Sequence, residues 1–302
     1  MNRILIKNAK IVNEGSIFEG DVLIENEFIV EIADFISAKS SDCKIIDAEG
    51  NFLIPGAIDD QVHFREPGLT HKGDLYSESK AAVAGGVTSF IDMPNTLPNV
   101  LTLANLNEKY QLAAQKSLAN FGFFLGVNAD NLDEVIKLDT SALLGVSDDG
   151  LYFTKKGNLL ADNPEIMEKL FANCKSIITI HSEKEAIIEE NEEYYRSKFG
   201  DDVPVEFHPT IRSEQACYEA TKGAIALANK YHARLHILHL STEAETHLFR
   251  NDIPLHEKNI TTEVSVHHLW FSDSDYHRLG KLIKWNPAIK TEKDKKGLLG
   301  IT

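Results

Sequence analysis

From residue 51 onward the chain repeats one rhythm, an apolar strand-like run followed by a polar loop and a helix-like segment. The strand-like runs are FLIPGAIDDQVHF, GVTSFIDMPN, ANFGFFLGVN, ALLGVSDDG, SIITIHSE, ARLHILHLS and ITTEVSVHH. Between them lie segments with helical character, among them SESKAAVAGG, TLANLNEKYQLAAQKSLA, NPEIMEKLFANC, SEQACYEATKGAIALANKY and STEAETHLFRND. Strands that alternate with helices join in parallel, because each crossover helix returns the chain to the same end of the sheet. The rhythm therefore predicts an α/β fold of the (β/α)8 barrel type over residues 51–302, with seven of its eight strands in view. Residues 1–50 lack the rhythm. Short alternating runs, ILIKNAKIV, DVLIENEFIVEIA and KIIDAEG, with a turn at Asn13-Glu14-Gly15, predict a small β unit there.

A barrel of this kind carries its chemistry at the C-terminal ends of its strands, and those ends are unusually rich in ionisable groups. The first run closes on Gln61, His63 and Arg65, which strand alternation would put on one face. The second closes on Asp92-Met93-Pro94-Asn95, the fourth on Ser147-Asp148-Asp149-Gly150, the fifth on His181-Ser182-Glu183, the sixth on His239 and the seventh on Glu263, ahead of His267-His268. A single histidine at a strand end is most often structural, and Asp-Asp-Gly by itself is a turn. So many at corresponding places point instead to a metal site. Imidazole nitrogen and carboxylate oxygen are the usual ligands of a zinc ion that keeps a position open for water. The chemistry expected is that of a metal-dependent hydrolase. His232, His247, His256 and His277 are expected at the surface or on helices, Gly85-Gly86 as a helix stop, and 183–202 as a solvated acidic helix and loop.

Composition removes other classes. A formal net charge of −15 without basic patches argues against binding nucleic acid. No apolar run approaches the roughly 20 residues of a membrane span, and the N-terminus has no signal-peptide pattern. Three scattered cysteines, Cys43, Cys174 and Cys217, fit a reducing compartment, so a cytoplasmic protein is expected.

The blocks DDQVHFREPGLTHKGD, GGVTSFIDMPNT, HPTIRSEQAC, RLHILHLST, TEVSVHHLWF and IKWNPAIKT together resemble dihydroorotase, of the amidohydrolase superfamily, from about residue 2 to the end of the chain. The resemblance implies reversible ring closure of N-carbamoyl-L-aspartate to L-dihydroorotate, with zinc as cofactor. It places Gln61 and His63 at a first metal, Asp149 as the bridging ligand with Asp148 as the alternative, and His181 and His239 at a second metal. Arg65 and Asn95 would hold the substrate carboxylate and Asn286 would contact its ring. The guanidinium fork of Arg65 suits a carboxylate. A homodimer and aspartate transcarbamoylase are the protein partners that the family suggests.

Three departures from the family pattern carry alternatives. Gln61 stands where the first imidazole of an H-x-H pair is expected, and an amide oxygen is a poorer zinc ligand. Aspartate stands in strand 4 where some relatives carry a carboxylated lysine; the register before Gly157-Asn158 leaves Asp148 or Asp149 open. The eighth strand, with its Asp-His-Ala-Pro segment and general-base aspartate, is not in the sequence, nor is the tail that completes the N-terminal β unit. The chain is therefore expected to be part of a longer protein. The alternatives are a non-catalytic dihydroorotase-like protein that supports a partner enzyme, or a related hydantoinase or allantoinase.

Overall fold

The computed structural model describes residues 2–37, 43–139, 143–149 and 164–300, which fall into two units: Met1–Ile58 with Gly86–Thr88, and Asp59–Gly85 with Ser89–Thr302. Gly150 and the Gly157-Asn158 pair lie outside the described residues.

The first unit is built on β1 (Arg3–Asn13), β2 (Ser16–Glu25), β3 (Phe28–Ala33), β4 (Lys44–Asp47) and β5 (Phe52–Leu53). β1 pairs antiparallel with β2, and β2 with β3, while β4 and β5 run parallel to β1. The turn expected at Asn13-Glu14-Gly15 is a two-residue hairpin loop, with Glu14 at φ 46° and Gly15 at φ 75°. Two consecutive left-handed residues match the twist of the flanking strands, which is why glycine suits this turn. DVLIENEFIVEIA, expected as one run, is instead a hairpin. Asn26 takes φ 55° and Glu25 pairs with Phe28, because asparagine tolerates the left-handed region that the turn requires. Leu5, Leu23, Ile36 and Cys43 form one small core, and Ala9, Ile11 and Val22 another.

The second unit holds the β/α rhythm. Its strands are β6 (Ala57–Val62) and β7 (Val87–Asp92), each from its third residue on, and β8 (Asn120–Phe123), β9 (Leu125–Gly126), β10 (Val146–Ser147), β11 (Ile178–Ile180), β12 (Leu235–Ile237) and β13 (Ile260–Thr262). Its helices are α1 (Leu75–Ala84), α2 (Leu103–Lys116), α3 (Leu132–Val135), α4 (Pro164–Asn173), α5 (Glu185–Phe199), α6 (His208–Ile211), α7 (Glu214–Tyr231), α8 (Glu243–Thr246), α9 (Val266–Trp270), α10 (Tyr276–Leu279) and α11 (Glu292–Leu299). β6, β7 and β8 form one sheet; β9 to β13, in sequence order and parallel, form the other. The run ANFGFFLGVN supplies both β8 and β9, so it passes from the first sheet to the second at Phe124 and continues the parallel order. Among the described residues no ladder joins β13 to β6, so the expected parallel α/β architecture is present without a closed ring of strands.

Helix ends follow local chemistry. Asp74 caps α1, accepting from the Ser77 amide at 2.7 Å, and Thr102 and Ser213 cap α2 and α7. α7 turns Cys217, Thr221, Ala224 and Ala228 inward, the spacing of one helical face. The expected helix over STEAETHLFRND is only the short α8. Glu245 is buried there, accepting from Thr221 and Thr242 hydroxyls at 2.7 and 2.8 Å, and turn residues follow from His247. Gly145 lets β10 approach its neighbours: a Cβ there would sit 2.5 Å from Ile177 and 2.9 Å from Phe124. His232, His247, His256 and His277 are exposed, and α5 is the mostly solvated acidic helix expected. No helix of the described residues is long and apolar enough to cross a membrane.

Candidate metal centre

The strand ends of the second unit aim their ionisable groups at one another. β6 stops at Val62, and the chain then turns at Arg65, which takes φ 67°. Arg65 therefore reaches the site through a left-handed turn and not through the strand alternation expected from the sequence. Between His63 and Arg65, the buried Phe64 packs on Phe90 and donates its backbone N–H to Asp92 Oδ1 at 3.0 Å. Asp92 is in turn paired with the fully buried Lys109 at 2.8 Å, and the Lys109 ammonium also donates to the Met93 carbonyl at 2.9 Å. The ends of β6 and β7 are thus tied together through one buried carboxylate.

His63 stands between two amides. Its Nδ1 is 2.9 Å from Asn95 Oδ1 and its Nε2 is 3.0 Å from Gln61 Nε2. Nδ1–H donating to Asn95 and Nε2 accepting from Gln61 satisfies both contacts, which is the neutral imidazole. Across the site, Asp148 Oδ1 lies 2.8 Å from His181 Nδ1, and the Asp148 carboxylate also accepts the His181 backbone amide at 3.0 Å. Asp149 behaves differently. Its Oδ2 lies 3.8 Å from His63 Nδ1 and 3.9 Å from His181 Nε2, too far for a hydrogen bond to either. The His181 ring is 5.2 Å from that of His239 and 6.0 Å from that of His63.

Both Asp149 oxygens, His181 Nε2 and both ring nitrogens of His239 are buried without a hydrogen-bond partner. Orphaned polar atoms in such number are costly in a dry site unless something else satisfies them. One ligand atom each from His63, Asp149 and His181 lies within 4.8 Å of the others. This is a nitrogen-and-oxygen donor set of the kind that holds a divalent cation, with His239 alongside. The residues present fit a metal ion.

The electrostatics agree. Burial, with the neighbouring Asp148 adding to it and His181 opposing it, raises the Asp149 carboxyl to about 7. Burial pulls His181 down, but Asp148 and Asp149 outweigh it and lift the imidazole to about 9. His63 falls to about 3 through burial and the positive charge of His181 and Arg65, and His239 is also held well below its ordinary value, chiefly by burial.

Gln61, His63, Arg65 and Asn95 line a cavity of about 280 Å³. Asp149, His181, His239 and Asn286 line it too, whereas Glu263, singled out at the end of the seventh run, does not. Asp148, the alternative bridging residue, does not line it. The sequence reading gave no role here to Lys72, Ser265, Lys284 or Trp285, which with His268 complete the wall. Lys284 and Trp285 immediately precede Asn286 in the quoted block IKWNPAIKT, and that proximity was the available signal. With Arg65, the two lysines give the cavity a cationic rim suited to an anionic ligand.

No family model matches the chain. A dihydroorotase from Methanosarcina acetivorans is 33% identical over 309 residues, which cover 99% of this chain and 64% of that protein. A dihydroorotase from Carboxydothermus hydrogenoformans is 34% identical over 310 residues, covering 98% of this chain and 67% of the relative. Among solved structures, the L-hydantoinase (dihydropyrimidinase) from Arthrobacter aurescens superposes with a TM-score of 0.85 at 25% identity, covering 99% of this chain and 66% of that one. The chain spans about two thirds of the length of these relatives.

Proposed function

The chain belongs to the dihydroorotase family, and on that premise we propose that the protein is a zinc-dependent cyclic amidohydrolase of the cytoplasm that interconverts N-carbamoyl-L-aspartate and L-dihydroorotate. The observation that carries the reading is the cavity wall itself. It presents buried nitrogen and oxygen donors without partners beside a guanidinium.

His63, Asp149, His181 and His239 would hold the metal, with the Gln61 amide at the edge of the set. When bound, the ion would polarise the ring carbonyl and make an attacking water more acidic. The remaining work falls to side chains. Arg65 would take the substrate carboxylate in a two-pronged contact. Asn95 spends its oxygen on His63, which leaves its NH2 to donate to the same carboxylate. Asn286, also on the cavity wall, would face the ring. Asp149, on the cavity wall beside the other donors, would receive a proton from the attacking water and return it to the ring nitrogen as the amide bond breaks. A homodimer and an aspartate transcarbamoylase partner belong to the same proposal and rest on the family alone.

One contact favours a second reading, a non-catalytic protein that supports a partner. Gln61 Nε2 caps the Nε2 of His63 at 3.0 Å, so that nitrogen is engaged by an amide where the family places a second imidazole. Gln61→His separates the two readings. If the site is a weakened enzyme, that substitution raises zinc affinity and turnover together; if the protein is non-catalytic, zinc affinity rises without turnover.

The direct test offers L-dihydroorotate, hydantoin and allantoin to the zinc-loaded protein. Turnover of dihydroorotate in preference to the other two is expected. Preference for hydantoin or allantoin would move the protein to the related cyclic amidases, and turnover of none would favour the supporting role.

A further inference from the structure

Asp60, His236 and Glu263 lie on three strands of the second unit and converge away from the cavity, whose wall includes none of them. Asp60 belongs to β6, His236 to β12, and Glu263 follows β13. Asp60 and His236 each precede a residue of the centre, His63 and His239, by three positions, roughly 10 Å along a strand. His236 Nε2 is 3.6 Å from Asp60 Oδ2 and 3.7 Å from Glu263 Oε2. One ligand atom from each of the three lies within 4.8 Å of the others.

The second observation is the state of the imidazole. His236 Nδ1 is held by Thr261 Oγ1 at 2.8 Å, which fixes the ring and turns Nε2 toward the two carboxylates. Nε2 is buried and has no hydrogen-bond partner, and the side chain is only 12% exposed. A ring nitrogen oriented by its other nitrogen, facing two carboxylates just beyond hydrogen-bond range, is the arrangement of a metal-ligating histidine. Ligands held at 2.0–2.2 Å around a tetrahedral zinc are about 3.4 Å apart, so 3.6 and 3.7 Å need only a small contraction. Glu263 is fixed from behind as well, since its Oε1 accepts the His239 backbone amide at 3.1 Å.

We infer that Asp60, His236 and Glu263 form a second divalent-cation site, separate from the centre at His63, Asp149, His181 and His239. One imidazole and two carboxylates suit a borderline ion such as zinc, with water completing the shell. The inference does not depend on the reaction proposed above, because its readout is metal content.

The test uses the full chain, stripped with chelator and then dialysed against zinc, with bound metal measured per chain. Asp60→Asn, at a half-exposed position, and His236→Gln are each expected to lose one equivalent relative to wild type. His63→Ala/His181→Ala is expected to keep the equivalent that these variants lose. Cobalt added to that double variant should give a visible absorption band that Asp60→Asn removes. Equal zinc content in wild type, Asp60→Asn and His236→Gln overturns the inference, whatever the outcome of the activity assays. So does a double variant that binds no zinc while its circular dichroism matches that of wild type.

Discussion

Asp148 holds His181 twice, through ring Nδ1 at 2.8 Å and through the backbone amide at 3.0 Å, and so leaves Nε2 as the ring nitrogen that faces Asp149. Two adjacent carboxylates therefore have different tasks, one orienting an imidazole and the other standing free to ligate.

Asp148→Ala releases the His181 ring. Loss of an orienting partner of this kind lowers metal affinity roughly 10–100-fold. Asp149→Asn, which removes a ligand, should cost more. Zinc titration of the stripped protein reads both. In the wild type a proton must leave His181, held at about 9, before zinc binds, so affinity should rise about tenfold per pH unit between 7 and 9. An Asp148→Ala protein with unchanged affinity would remove Asp148 from its orienting role.

Arg65→Ala is expected to cut kcat/KM for dihydroorotate roughly 100-fold, the worth of a charge-assisted pair of hydrogen bonds. Turnover of an uncharged cyclic amide such as hydantoin, if the wild type shows any, should change little. Equal losses on both substrates would mean that Arg65 supports the site and not the carboxylate.

Lys109→Met strands the buried Asp92 carboxylate that anchors the backbone between His63 and Arg65. Leaving one charge of a buried pair uncompensated costs about 3–5 kcal/mol. The double variant Lys109→Met/Asp92→Asn should recover part of that loss. Urea denaturation of the three proteins measures it, and a single variant as stable as wild type would contradict the account.

His208 is buried with Nε2 2.7 Å from the Trp285 carbonyl, and burial chiefly holds it at about 4, below its ordinary 6.5. Between these two values the unfolded chain binds a proton that the folded chain does not. His208 thus contributes stability that is full above pH 6.5 and is lost as the pH falls toward 4. Asp149 and Glu263, both held near 7, contribute with the opposite sign over much of this range, so the readout is a difference. His208→Gln should reduce the slope of unfolding free energy against pH by up to about 1.4 kcal/mol per unit relative to wild type. Parallel curves for the two proteins would show that His208 titrates normally.

The alternation of strands and helices was legible because it is written in local periodicity, and so was the Glu14-Gly15 turn, where only certain residues accept the backbone. The hairpin at Asn26 and the shortness of α8 were less legible. Both depend on partners elsewhere: β1 and β3 on either side of β2, and the Thr221 hydroxyl that draws Glu245 inward. Lys284 and Trp285 were signalled in the cavity wall only by their place beside Asn286, since nothing in a lysine or a tryptophan near a proline says which way the chain will turn.

Sequence alone offered the candidates for the site: Gln61, His63, Arg65, Asn95, His181, His239 and either Asp148 or Asp149 stand where runs of strand character give out, and residue type and spacing are properties of the chain. Tertiary structure decided how that inventory is used. It engaged Asp148 with His181 and left Asp149 open, capped His63 with Gln61, and brought Asp60, His236 and Glu263 within reach of one ion. These are distances between residues far apart in the chain, set by packing of the whole sheet, and no local pattern encodes them.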